Sequence, residues 1–516
     1  MWPSTQDWRI LYLKKKNNVL LFCIKEFGNV GRVLLDGKED KLKKIAAVLC
    51  FSLIFLTMSC AINPVTGKRE LSLVSEKEEI ALGKQTDGEI KALYGIYSDK
   101  ALSAYVQKVG QSMTSLTHRP HLTYHFAVLD TPVVNAFAVP GGYVYVTRGI
   151  LALMNSEAEL AVVLGHELGH INARHSVAKL SQLMLAQLGL GVVGAISETF
   201  AKLSGAASIG IQLLFLKFSR DDEREADALG VEYSRKGEYN PGEMINFFMS
   251  LERLGDLSGG QSLPGFLSTH PLTSERIQNT KDMLLESDRQ LRIEKRGYLG
   301  ALDNMVYGQD PRQGFVENGA FYHPELRFFF SFPGDWQVQN TPSQVVLTTK
   351  DGHAGVILQA EKTSENLGAY ANRIADKIEN AELIDQSNFR INGLVSYHQV
   401  YDIMQQNGEE IRVRLSYIRK NSFIYTLVAL SAQQEFSEYD RQFLRIVRSF
   451  QELREARYLD RQPRRIRLVQ ANGKDSLQTI FQRAGMEKEL WPKFAIMNSG
   501  DLGSTPKKGQ TIKIVR

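Results

Sequence analysis

Gly165-His-Glu-Leu-Gly-His170 is the stretch that most narrows what this chain can be. Side chains four residues apart on an α-helix share a face, so a helix here aims the His166 and His170 imidazoles at one point. Glu167, next to the first of them, is placed to take the proton of a water activated by an ion held there. Residues 157–176 carry the apolar pattern that such a helix needs, through Ala158, Leu160, Ala161, Val162, Leu164 and Leu168.

A zinc site takes a third protein ligand and, when catalytic, keeps a fourth position open for water. A third His further along the same segment is missing, since Ala173 and Ser176 stand where the longer zinc motif has Gly and His. His175 is one residue out of that register and reads as a rim or structural residue. The better third ligand is Glu223, within Ser219-Arg-Asp-Asp-Glu-Arg-Glu-Ala-Asp227, with Asp227 one helical turn on. One of these carboxylates can bind the ion while the other accepts the outer N–H of a ligand His and fixes its ring. Glu225 faces elsewhere and reads as a surface residue.

Composition removes other classes. Ten of the 62 Lys and Arg and five of the 57 Asp and Glu lie in residues 1–60, so the rest of the 516 residues carries 52 of each. A neutral body gives no electrostatic case for nucleic-acid binding. All three cysteines, Cys23, Cys50 and Cys60, also lie in that leader, which excludes a disulfide framework or a Cys-ligated zinc for the remainder. Within the leader, the bases of residues 41–44 precede an apolar stretch over 45–58 and then Ser59-Cys60, the order of a secretory signal. Ending at a Cys resembles a lipoprotein signal, lipidated at Cys60, although Thr57 stands where Leu is usual.

Periodicity divides the body further. Helices are expected over 75–93, 99–116, 221–237 and 241–254, and strands over 123–129, 135–139 and 143–147, the last two flanking Pro140-Gly-Gly142. The Gly-studded apolar residues 181–218 read either as a membrane-dipping hairpin or as a pair of buried helices. Beyond residue 309 the texture turns aromatic and strand-like, with runs at 344–349, 355–359, 411–419 and 422–430 and helices at 367–379 and 437–449.

The combination His166-Glu-Leu-Gly-His170 with Ser219-Arg-x-x-Glu223-x-x-Ala-Asp227 resembles family forty-eight of the metallopeptidases, and most of all its periplasmic lipoprotein members. Asn135-Ala-Phe-Ala-Val-Pro-Gly-Gly-Tyr-Val-Tyr-Val-Thr147, Asn63-Pro-Val-Thr-Gly67 and Ser268-Thr-His-Pro271 resemble further segments of that family. The resemblance implies an α+β multidomain protein: a leader at 1–60 and a mostly α gluzincin-type zinc peptidase domain with a small sheet at 61–300. It implies one zinc per chain on His166, His170 and Glu223, with Glu167 as base. His270 either donates to the developing oxyanion or locks the site. Asn135, Ala136, Phe137 and Ala138 would form an edge strand that receives an extended peptide.

Residues 315–452, with Phe332-Pro-Gly-Asp-Trp336, resemble a PsbP-type α+β module. Residues 464–516 resemble a LysM-like βααβ unit, a type that binds peptidoglycan. Trp336 and Trp491 read either as core aromatics or as anchors for a partner or sugar. The expected function is a zinc-dependent endopeptidase, exported and lipid-anchored at the periplasmic face of the outer membrane. It would cut misfolded or unassembled envelope proteins. The alternatives are a chaperone or assembly scaffold with a latent site and a peptidoglycan-tethered binding protein.

Overall fold

A computed structural model describes residues 60–189, 217–257, 265–271, 274–378, 380–405 and 408–516. The leader up to residue 59, and residues 190–216 of the stretch read as a hairpin or buried helices, lie outside them. No helix among the described residues is long and apolar enough to cross a membrane. A small N-terminal unit contains β1 (Cys60–Ile62) paired antiparallel with β2 (Arg69–Leu71). The other elements belong to a second unit, described below by itself.

That unit starts with α1 (Glu76–Tyr94), opened by a capping box in which the Ser75 hydroxyl accepts from the Glu78 N–H and the Glu78 carboxylate reaches back to the N-cap. Next comes α2 (Lys100–Thr114), capped by Asp99. A three-stranded sheet follows, from β3 (His125–Leu129), β4 (Ala136–Val139) and β5 (Tyr143–Thr147). Its order is β3-β5-β4, with β3 parallel and β4 antiparallel to β5, so among the described residues β4 is an edge. Gly141 and Gly142 make the tight turn between β4 and β5 at φ of 83° and 100°, a region that L side chains resist.

The short α3 (Arg148–Leu153) leads through three residues to α4 (Glu157–Asn172), whose N-cap is Ser156. The helix expected over 157–176 is shorter than that. It stops at Asn172, and Arg174 adopts φ of 59°, held by Glu79 Oε2 at 2.9 Å and the Val74 carbonyl at 2.8 Å. His175 therefore begins a new helix, α5 (His175–Gly189). Then come α6 (Arg220–Lys236), α7 (Glu243–Leu257), the single turn α8 (Gly265–Thr269), α9 (Ser274–Met283) and α10 (Lys295–Leu302).

The packing of α4 on α6 positions the site. A Cβ on Gly165 would meet Gly230 O at 3.2 Å, one on Gly169 would meet Ala226 at 3.1 Å, and one on Gly230 would meet His166 N at 3.1 Å. Small residues on both helices let the backbones touch, and that closeness brings the α6 carboxylates within reach of the α4 imidazoles.

The sheet module is nearly all antiparallel β-structure. Four strands, β6 (Phe315–Glu317), β7 (Ala320–His323), β8 (Phe328–Ser331) and a two-residue β16 (Gln451–Glu452), form one sheet. Seven more form a second sheet in the order β12-β13-β14-β15-β11-β10-β9. These are β9 (Gln337–Asn340), β10 (Val345–Thr348), β11 (Ala354–Lys362), β12 (Ala381–Ile391), β13 (Leu394–Met404), β14 (Glu410–Lys420) and β15 (Phe423–Ala432). Helices α11 (Leu367–Ala375) and α12 (Phe436–Ser449) pack against the larger sheet. Trp336 is a core residue here, 5% exposed, with Nε1 donating to Gln442 Oε1 at 2.9 Å.

After a short α13 (Ala456–Leu459), the C-terminal segment runs β17 (Ile466–Gln470), α14 (Leu477–Arg483), α15 (Trp491–Met497) and β18 (Thr511–Val515), with β17 and β18 paired antiparallel. Trp491 is buried and donates Nε1–H to the Met486 carbonyl, so it fills a core. Ile466, Phe481, Phe494, Ile512 and Ile514 join the same apolar cluster as Leu151, Leu160 and Leu164. The C-terminal segment and the α4 region thus share one core.

Candidate metal centre

Helix α4 is buried continuously from Ala158 to Asn172. Its His166 and His170, Glu223 of α6 and His270 just after α8 each direct one donor atom into a common space, all four within 4.8 Å of one another. His166 Nε2 lies 3.1 Å from His170 Nε2, 3.4 Å from His270 Nδ1 and 3.7 Å from Glu223 Oε2. His170 Nε2 is 3.6 Å from Glu223 Oε1, and His270 Nδ1 is 2.8 Å from the same oxygen.

The outer nitrogens explain why these donors face inward. His166 Nδ1 faces Asp227 Oδ1 at 3.0 Å. His170 Nδ1 meets His175 Nδ1 at 2.8 Å, and His175 Nε2 meets Glu225 Oε2 at 3.1 Å. With Glu225 Oε2 accepting from His175 Nε2–H, His175 Nδ1 is an acceptor and His170 Nδ1 donates to it. Both ligand imidazoles then present bare Nε2 lone pairs to the shared space. Burial, reinforced by His166, His175 and His270, drives the His170 pKa well below its ordinary value and keeps the ring neutral.

Burial alone would raise the Glu223 and Asp227 carboxyls, but neighbours reverse this. His270, His166 and Arg276 hold Glu223 below its usual value, and Arg276 with His166 does the same for Asp227. Arg276, from α9, grips Asp227 through two bonds of 2.7 Å. Its Nη1 lies 2.9 Å from Glu223 Oε2, close enough for an ion pair but outside hydrogen-bond geometry.

Glu167 is the exception among the acids. Burial pushes its carboxyl up to about 7, with His166 opposing and Glu223 adding to the rise. The Ala138 backbone, beside it, favours the charged form, while Oε1 has no hydrogen-bond partner among the described residues. His270 Nε2 is 3.8 Å from that oxygen.

The donor set suits zinc. Bonds of about 2.0–2.1 Å in a tetrahedron place neighbouring donors roughly 3.3 Å apart; the five spacings given above run from 2.8 to 3.7 Å, and all four donors lie within 4.8 Å of one another. Three imidazoles and one carboxylate are a poor cage for calcium, which takes six or more oxygens.

Residues 100–284 match the profile of Peptidase family M48. The chain carries an M48 peptidase domain. All four donors, Glu167, Asp227 and Arg276 fall inside that M48 domain. The chain is 29% identical over 259 residues to a beta-barrel assembly-enhancing protease of Yersinia pestis, covering 48% of this chain and 52% of that protein. It is also 29% identical over 236 residues to the mitochondrial metalloendopeptidase OMA1 of Schizosaccharomyces pombe, covering 43% of this chain and 66% of that protein. The chain thus spans about half to two thirds of the length of these relatives. Among solved structures, cyanobacterial PsbP from Synechocystis aligns with 27% of this chain and 96% of its own at a TM-score of 0.23 and 15% identity.

The edge strand of the M48 domain lies over the base. Thr147 N–H donates to the Asn135 carbonyl, so in the β4–β5 ladder Phe137 and Val139 turn their backbone groups toward β5. Ala136 and Ala138 turn theirs outward, on the side where Ala138 meets Glu167. Phe137 itself is buried, and the Oδ1 of the half-buried Asn135 has no hydrogen-bond partner among the described residues.

Of the two readings of His175, rim or structural, the structural one holds: it is a buried partner of His170, because the turn at Arg174 swings it back beside the α4 imidazoles. One expectation is corrected. Glu225 is not a bare surface acid but the partner of His175. Arg276 and Phe218, whose ring stacks on His170 at 4.1 Å, were not foreseen. An Arg six residues after His270 and a Phe just before Ser219 were the available signals.

Proposed function

We propose that this chain is a zinc-dependent endopeptidase of the cell envelope, held latent by His270, that hydrolyses peptide bonds in misfolded or unassembled envelope proteins. The observation that carries the reading is the open edge of β4 meeting Glu167 beside the four-donor cluster. An extended segment can add to Ala136 and Ala138 as a further strand through backbone groups alone, which makes recognition tolerant of sequence and selective for unfolded chain.

Zinc, when bound by His166, His170 and Glu223, supplies polarisation of the peptide carbonyl and a lowered pKa for the attacking water. The protein does the rest. Glu167 takes the water's proton and passes it to the leaving amine. Asp227 and the His175–Glu225 pair hold the two α4 imidazoles, and Arg276 fixes both α6 carboxylates. His270, whose Nδ1 stands among the donors, fills the position that water needs, which favours the lock over the oxyanion donor.

Export and lipid attachment at Cys60 belong to the same proposal, supported by the basic patch, apolar stretch and Cys of the leader. The closed donor set also supports a second reading, a scaffold whose protease site stays shut. One experiment separates the two: zinc-loaded full chain acting on a reduced, carboxymethylated protein. The protease reading expects cleavage by wild type, faster cleavage by His270→Ala, and none by Glu167→Gln. No cleavage by wild type or His270→Ala, with zinc bound in both, would leave the scaffold.

A further inference from the structure

In a free-standing βααβ unit, the two-stranded sheet covers its helices with one face and leaves the other to solvent, so burial alternates along each strand. Strand β18 does not alternate: Ile512, Lys513, Ile514 and Val515 are all buried. Lys513 is fully buried, and its ammonium donates to the carbonyls of Met154 at 2.7 Å, Ala152 at 2.8 Å and Leu153 at 3.4 Å. Those carbonyls form the C-terminal end of α3, the negative pole of that helix, and a cation is favoured there.

The place they occupy gives the contact its meaning. Helix α3 follows β5, the strand that carries the edge strand β4, and only Met154, Asn155 and Ser156 separate α3 from the helix that bears His166 and Glu167. The C-terminal segment meets the rest of this unit at further points, one of them in this connection. Asn155 Nδ2 donates to Ser499 Oγ at 3.1 Å, and Arg253 of α7 donates to the Gly500 carbonyl at 2.7 Å and pairs with Asp501. On the far side, Ile466 N–H donates to Met305 O at 2.9 Å and Tyr307 N–H to Arg464 O at 2.8 Å. Asn498 fixes the backbone of Lys513 itself through bonds of 2.8 and 2.9 Å.

We propose that the C-terminal segment is a clamp that fixes the edge strand against the α4 helix, with Lys513 as its positioning residue. The catalytic consequence rests on the reading of β4 as the substrate strand; the clamp itself does not. Burial lowers the Lys513 pKa and raises that of Glu159, in the first turn of α4, and each group opposes the shift of the other, so the two are coupled across the contact. A unit spent in this way is part of the peptidase, and a tether swinging on a linker is not what it resembles.

The test uses the full chain with Lys513→Met, which keeps the apolar stem and removes the donors. Hydrogen exchange of residues 148–160 is read alongside KM and kcat on the carboxymethylated protein. The clamp expects exchange at 148–160 to quicken on the order of tenfold, with that of residues 315–452 unchanged. It expects KM to rise at one zinc per chain. Should Lys513→Met not fold, a cleavable sequence inserted in the exposed stretch 460–462 is cut in the folded wild type, and the clamp expects the fragment to co-elute with the rest. Exchange at 148–160 equal to wild type, or a cut fragment that leaves as a separate folded body, overturns the proposal. If no form cleaves, the peptidase reading fails while the exchange and co-elution results still decide the clamp.

Discussion

The M48 domain and the sheet module bury very different things. Around α4 the interior holds His166, Glu167, His170, Glu223, Asp227, His270 and Arg276, none more than 3% exposed. The interior of the module is built from residues such as Phe321, Phe328, Phe330, Trp336, Val356, Tyr425 and Leu427. Its buried cations are answered locally: Arg414 pairs with Asp440 at 2.8 Å and Lys420 donates to the Leu326 carbonyl at 3.0 Å. Apolar packing suffices to hold a sheet together, whereas burying charge costs stability unless every group is answered. The M48 site leaves Glu167 Oε1 unanswered beside converging donors, and such a site makes sense as one arranged for an ion and a substrate.

The largest expected effect sharpens this contrast. Glu167→Gln lowers kcat by about 10²–10⁴-fold, while thermal unfolding shows equal or greater stability, since a buried carboxyl whose Oε1 has no hydrogen-bond partner among the described residues is exchanged for a neutral amide. A large loss of stability would mean that Glu167 serves the fold. Trp336→Ala is the converse, a cavity in the module core that costs about 3–5 kcal/mol in denaturant titrations. Zinc affinity should stay as in wild type, and a parallel loss of zinc would join the two regions.

Acid gives the third effect. Burial lowers the His323 pKa to about 4, so its neutral form is the native one. The unfolded chain binds the extra proton as pH falls below about 6.5. Stability is therefore full above that pH and declines toward pH 4, by about 3 kcal/mol. Urea midpoints across this range should show the slope, and His323→Gln, which keeps an acceptor for the Leu326 N–H, should flatten it. The smallest effect returns to the metal centre. Asp227→Asn should weaken zinc binding by about 10–100-fold in competition with a colorimetric chelator, since His166 Nδ1 loses a charged acceptor.

The parts legible in the sequence were those with a local signature. The α4 motif, Glu223 and Asp227 one turn apart, the β4–β5 turn at Gly141-Gly142 and helix α12 all follow from spacing within a few residues. What escaped depends on distance along the chain. His175 became a partner of His170 only because Arg174, in a left-handed conformation, ends α4 early. Arg276 lies 49 residues from Asp227, and Lys513 lies 361 from Ala152. No periodicity encodes such contacts. Strand β12 escaped for another reason: it is largely exposed, so its residues lack the alternation that marks a half-buried strand.

Metal content, with X-ray absorption at the zinc edge, reads out whether the four converging donors form a zinc site. Wild type should hold one zinc per chain, bound by three imidazoles and one carboxylate at about 2.0–2.1 Å, retained by Glu167→Gln and lost by Glu223→Ala. Zinc absent from wild type, or retained unchanged in Glu223→Ala, would contradict it.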